Sequence, residues 1–119
     1  MRLEVALTAP ARGADQLLHA LRLLASPTRA EPGCLGCRVW TDDADESTVR
    51  YVEEWATEGA MRLRVRSPRF TRLLEVLESV SAPPEVQFDF VTETRGLEYV
   101  AEVRRADGML DPPRRRPLE

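Results

Sequence analysis

The sequence predicts an α+β fold in which an antiparallel sheet carries its helices on one face. Period-two alternation marks strands at Leu3-Val5-Leu7, at Val49-Tyr51-Glu53-Trp55 and at Val86-Phe88-Phe90. Helical spacing marks two amphipathic segments, one from Ala14 to Ala25 and one entered at Ser67-Pro68. The resulting order, β-α-β-β-α-β with one further terminal strand, is that of the split βαβ motif.

The chain's 119 residues suit one domain with a single core, expected over residues 1–104 and followed by a Pro- and Arg-rich tail over 105–119. Twenty acidic side chains against seventeen basic ones give a net charge of -3, so no global field favours nucleic acid or an anionic membrane. No apolar run reaches the roughly 20 residues of a membrane span, and the amino end lacks a signal-peptide core. The expectation is a soluble cytoplasmic protein.

In the first strand Leu3, Val5 and Leu7 form the buried face, and Pro10 and Gly13 end it. In the helix that follows, Ala14, Leu17, Leu18, Leu21, Leu24 and Ala25 share one face. Leu23 lies nearly opposite, as an ordinary exposed leucine or as part of a subunit contact. His19, the single histidine, also projects away from the stripe and reads as solvent-facing rather than as a base. Ser26-Pro27 to Pro32-Gly33 reads as a turn-rich connection, because residues before proline favour extended geometry.

The second strand is expected from Cys34 to Thr41. Cys34-Leu35-Gly36-Cys37 is formally a C-x-x-C, but a redox pair of that kind sits at a helix start, and an offset of three on a strand puts the thiols on opposite faces. A zinc site would need further ligands, and the chain has no other cysteine. Both cysteines therefore read as small strand residues. Asp42 to Glu46 is acidic but lacks the glycine and later glutamate of a calcium loop, so it reads as a hairpin turn.

In the third strand Val49, Tyr51, Glu53 and Trp55 share one face, and Arg50, Val52 and Glu54 the other. Thr57 opens a short helical turn. Ser67 caps the next helix, Pro68 fits its first position, and Phe70, Leu73, Leu74 and Leu77 make its stripe. Ala82-Pro83-Pro84 ends that helix. Val86, Phe88 and Phe90 then form a fourth strand, and Leu97, Tyr99, Ala101 and Val103, alternating after the Thr94-Arg95-Gly96 turn, a fifth. Helices on one side leave the other face of the sheet bare; where such a face is apolar a second sheet must cover it, which points to a homodimer.

Two stretches resemble a known family. Glu53-Glu54-Trp55-Ala56-Thr57-Glu58-Gly59-Ala60-Met61 with Arg66-Ser67-Pro68-Arg69-Phe70 is similar to the core of the antibiotic biosynthesis monooxygenase (ABM) family, and Glu31-Pro32-Gly33-Cys34-Leu35 to that family's entry into the second strand. The resemblance covers about residues 1 to 103. It implies a ferredoxin-like subunit that pairs into a dimeric α/β barrel. It also implies chemistry without a metal or flavin cofactor, in which an electron-rich substrate held in an apolar pocket reacts with oxygen directly.

Within that frame Glu53, held against aromatic rings, is the candidate proton acceptor, or else the partner of an arginine in an ion pair. Arg64 is the candidate for stabilising a developing oxyanion, and it stands where many family members carry a histidine. Trp40, Tyr51, Trp55, Phe70 and Phe88 are the candidate apolar walls for a small-molecule substrate. The pattern of haem-degrading relatives is not met, since the chain contains no asparagine. The expected activity is cofactor-independent monooxygenation of a small aromatic or enolic metabolite; the alternative is a non-catalytic binding protein on the same scaffold.

Overall fold

A computed structural model describes residues 1–10 and 12–106. The elements run β1 (Arg2–Thr8), α1 (Ala14–Arg29), β2 (Cys34–Thr41), β3 (Thr48–Trp55), α2 (Glu58–Arg66), α3 (Pro68–Glu78), β4 (Glu85–Asp89) and α4 (Leu97–Ala106). The strands form one antiparallel sheet in the order β2-β3-β1-β4. This is the ferredoxin-like split βαβ arrangement, with α1 connecting β1 to β2 and α2–α3 connecting β3 to β4.

The core lies between the sheet and the helices. Leu3, Val5 and Leu7 of β1 and Val49, Tyr51 and Trp55 of β3 meet Leu17, Leu21 and Ala25 of α1 and Phe70, Leu73 and Leu77 of α3. Each large apolar side chain buried there contributes about 1.5–3 kcal/mol. The α3 stripe is narrower than expected, because Leu74 remains 42% exposed. The opposite face of the sheet is charged along its centre. Arg2 pairs with Glu4 at 3.2 Å, Arg50 reaches Glu4 at 3.3 Å, and Arg50 also reaches Asp42 at 3.0 Å.

Three expectations need correction. First, α1 does not stop at Ala25 but continues through Ser26 and Pro27 to Arg29. Pro27 removes one backbone donor, and other bonds offset the loss: within the helix the Thr28 hydroxyl donates to the Leu24 carbonyl at 2.7 Å, and Arg29 Nε donates to the Cys37 carbonyl of β2 at 2.8 Å.

Second, the thiols share a face. Cys34 pairs with Trp55, Gly36 with Glu54 and Cys37 with Glu53, so a β-bulge leaves Leu35 without a partner. That unpaired residue is 71% exposed. An offset of three therefore behaves as an offset of two, and both sulfurs turn toward the helices.

Third, the expected fifth strand is helix α4. Arg95 decides the matter: its guanidinium pairs with Glu98 and Glu102, and the Glu98 carboxylate accepts the Gly96 N–H at 3.0 Å. These carboxylates, four residues apart, meet one cation only on a helix. No residue of α4 is buried. The tail expected from residue 105 lies, beyond Ala106, outside the described residues.

Candidate functional site

The site grows from the alternation of β3. Tyr51, Glu53 and Trp55 all point to the helix side and are shut off from solvent. Downstream, the Thr57 hydroxyl accepts the Ala60 N–H at 3.0 Å and starts α2, so that Met61 and Arg64, three residues apart, turn inward together. Arg64 thereby arrives over Glu53.

The Glu53 carboxylate is surrounded by donors. Its Oε2 accepts the Tyr51 hydroxyl at 2.5 Å, and its Oε1 accepts Trp55 Nε1 at 3.0 Å. Arg64 donates Nε to both oxygens at 3.2 Å and Nη2 to Oε2 at 2.9 Å. The Phe70 ring lies 5.3 Å from the guanidinium carbon. Arg64 Nη1 makes no hydrogen bond among the described residues and approaches Glu31 Oε2 at 3.6 Å.

The electrostatics follow from burial. Burial pushes the Tyr51 phenol far above its ordinary value, and the adjacent Glu53 charge pushes it further. For Arg64, desolvation disfavours the cation, but the hydrogen bonds and charge of Glu53 outweigh it and the net shift is upward. Cys37, beside Tyr51, has its thiol raised to about 11, chiefly by burial. Burial also raises Cys34, and the charges of Glu53 and Glu31 add to it. Neither thiol has the low pKa of a nucleophile.

The structure brings together five of the seven residues singled out in the sequence: Tyr51, Glu53, Trp55, Arg64 and Phe70. Trp40 is not among them. It pairs with Arg50, so it lies on the charged face of the sheet, with Arg38 5.5 Å from its ring. Phe88 lies on the helix side, but at the sheet edge: Leu3 pairs with both Glu53 and Phe88 and stands between them. Sequence reasoning missed Glu31 as a neighbour of Arg64, since nothing local links a residue of the α1–β2 turn to one on α2.

A cleft of about 1040 Å³ opens between α1 and α3. Leu23 and Leu24 line its α1 side, Val76 its α3 side, and Arg64 belongs to its wall. The cleft thus meets the cluster at Arg64, while Tyr51, Glu53, Trp55 and Phe70 do not line it.

Residues 1–76 match the family model described as antibiotic biosynthesis monooxygenase. The chain belongs to the antibiotic biosynthesis monooxygenase family. All five clustered residues fall within the matched span. Among solved structures, an ABM protein of Deinococcus radiodurans, itself assigned provisionally, superposes with a TM-score of 0.71 at 26% identity, over 81% of this chain and 97% of that one. A second structure, described as an antibiotic biosynthesis monooxygenase, gives 0.63 at 25% identity over 76% and 97%. A curated relative, the uncharacterized protein sll1783 of Synechocystis, is 26% identical over 84 residues, which are 70% of this chain and 57% of that protein. The chain thus spans little more than half of that relative. Among the described residues no helix is long and apolar enough to cross a membrane.

Proposed function

We propose that this ABM chain is a monooxygenase that oxygenates a small aromatic or enolic metabolite without a resident metal or flavin. The observation that carries the reading is Arg64: an almost fully buried cation, fixed by Glu53, that borders a cleft and keeps one nitrogen without a hydrogen bond. A cation beside a phenol or enol stabilises the conjugate anion and so favours its formation near neutral pH. That anion is the form that gives electrons to oxygen. At an activated CH₂ carbon, O₂ supplies one atom to a new C=O and leaves the other as water, so the substrate provides all the electrons.

In this reading Arg64 holds the anion, and Glu53 acts by fixing the guanidinium and keeping it charged. Tyr51 and Trp55 in turn hold Glu53, and Phe70 packs on the guanidinium. A homodimer belongs to the same proposal. Val86 and Phe88 of β4 and Leu97, Tyr99 and Val100 of α4 are exposed at 38–85% and would be covered by a second copy.

One observation favours the non-catalytic alternative. Glu53 already accepts from three side chains, which leaves no poised base in the cluster. Oxygen uptake by the purified protein with anthrones, hydroquinones and catechols separates the readings, with Glu53→Gln, Trp55→Phe and Arg64→Ala beside it. Turnover without added flavin or metal, lost in Arg64→Ala, is the expected result. Thermal stabilisation by the same compounds with no oxygen consumed would establish the binding protein instead.

A further inference from the structure

The α1–α3 cleft has the chemistry of a site for an acidic ligand. Its α1 wall is apolar, with Leu23 and Leu24, and Leu23 stays 62% exposed although it belongs to a helix packed on the sheet. Its α3 wall carries Arg69 and Arg72, which stand one turn apart. Neither arginine has a carboxylate partner among the described residues. Glu75 also borders the cleft, so the α3 wall keeps two arginine charges against one carboxylate.

The deep end adds an independent observation. Arg64 is 2% exposed, yet it belongs to the cleft wall, and its Nη1 has an ion-pair contact at 3.6 Å but no hydrogen bond. That nitrogen has room for an acceptor: the nearest carboxylate oxygen, Glu31 Oε2, stands 3.6 Å away and is itself buried without a hydrogen bond. An apolar wall, unpaired arginines at the mouth and an unused guanidinium donor at depth describe a complementary molecule: a flat or compact apolar body that bears an acid group.

We infer that the cleft binds an amphipathic aromatic acid, with its ring system against Leu23 and Leu24 and its carboxylate among Arg64, Arg69 and Arg72. The inference rests on the reading of this cleft as the substrate site and narrows the substrate to an anionic class.

Fluorescence titration with 9-anthracenecarboxylate and the neutral 9-anthracenemethanol tests it, on the intact chain and on Arg69→Gln/Arg72→Gln. Both arginines are exposed, so the variant leaves the core untouched, and far-UV circular dichroism verifies this. The carboxylate is expected to bind the intact chain at least tenfold more tightly than the alcohol, and the double variant to remove most of that preference. Equal binding of the two probes, no binding of the carboxylate, or a preference that survives in the double variant would overturn the inference. Oxygen uptake is read separately. Charge-dependent binding with no uptake from any substrate leaves the ligand class standing and removes the monooxygenase; uptake with no preference for acids does the reverse.

Discussion

Arg64 and Glu53 stand eleven residues apart on different elements, and their Nη2 and Oε2 atoms meet at 2.9 Å with side-chain exposures of 2% and 0%. Two charges taken out of water are tolerated because each satisfies the other, and removing one strands its partner. Glu53→Gln and Arg64→Met are each expected to lower stability by about 3–5 kcal/mol. In Glu53→Gln/Arg64→Met the losses should fall well short of the sum, because no unpaired charge remains. Urea denaturation of the four proteins of that cycle measures the coupling.

Tyr51 tests how much of the cluster depends on a neutral donor. Tyr51→Phe keeps the ring and removes the hydroxyl that Glu53 accepts. The expected loss is about 1.5–3 kcal/mol, the range for a hydrogen bond to a charged group, and thus less than that of Glu53→Gln. A loss equal to that of Glu53→Gln, read from denaturation midpoints, would contradict the ranking.

Alkaline pH should loosen the fold. The Cys37 thiol moves from its ordinary value of 9.0 to about 11 in the folded chain, so unfolding releases its proton at a lower pH than the native state does. Its contribution is fully present below pH 9 and declines as pH rises from 9 to about 11. The total is on the order of 2 kcal/mol. The raised Tyr51 phenol acts in the same sense above pH 10. Cys37→Ala should flatten the fall between pH 9 and 10.5 in denaturation curves, where Cys37 acts before Tyr51.

Gly33 is placed by backbone and neighbour together. Its φ is +84°, and an added Cβ would lie 2.7 Å from the Ala60 Cβ. Its carbonyl also accepts the Ala56 N–H at 2.8 Å, which ties the entry of β2 to the end of β3. Gly33→Ala should cost about 1–3 kcal/mol. Gly33→Ala/Ala60→Gly should recover the part due to the clash and keep the part due to φ. Chemical denaturation of both variants and of Ala60→Gly alone, which carries the helix cost of a glycine, separates the two contributions.

The central part of the fold was legible because its signals were redundant. Trp55, Thr57 and the Ser67-Pro68 step each mark a boundary by a different mechanism, and the structure places α2 and α3 accordingly. The C-terminal segment was misread because Leu97-Glu98-Tyr99-Val100-Ala101-Glu102-Val103 satisfies both periods, and the arginine that selects the helix lies outside it. At the site, the shared face of Tyr51, Glu53 and Trp55 followed from alternation alone. That Arg64 is their partner depends on where α2 lands, and Trp40 was lost because a row of aromatic letters does not say which side of a sheet each one occupies.

The unpaired Leu35 has a consequence for how this strand can change length. The ladder does not count that residue: Cys34 already sits opposite Trp55, and Gly36 and Cys37 opposite Glu54 and Glu53. A chain shorter by Leu35 alone could keep every one of those partners and lose only the kink. Length variation can therefore pass through β2 at this point without turning either sulfur away from Glu53, although anywhere else in the strand a single deletion would exchange its two faces.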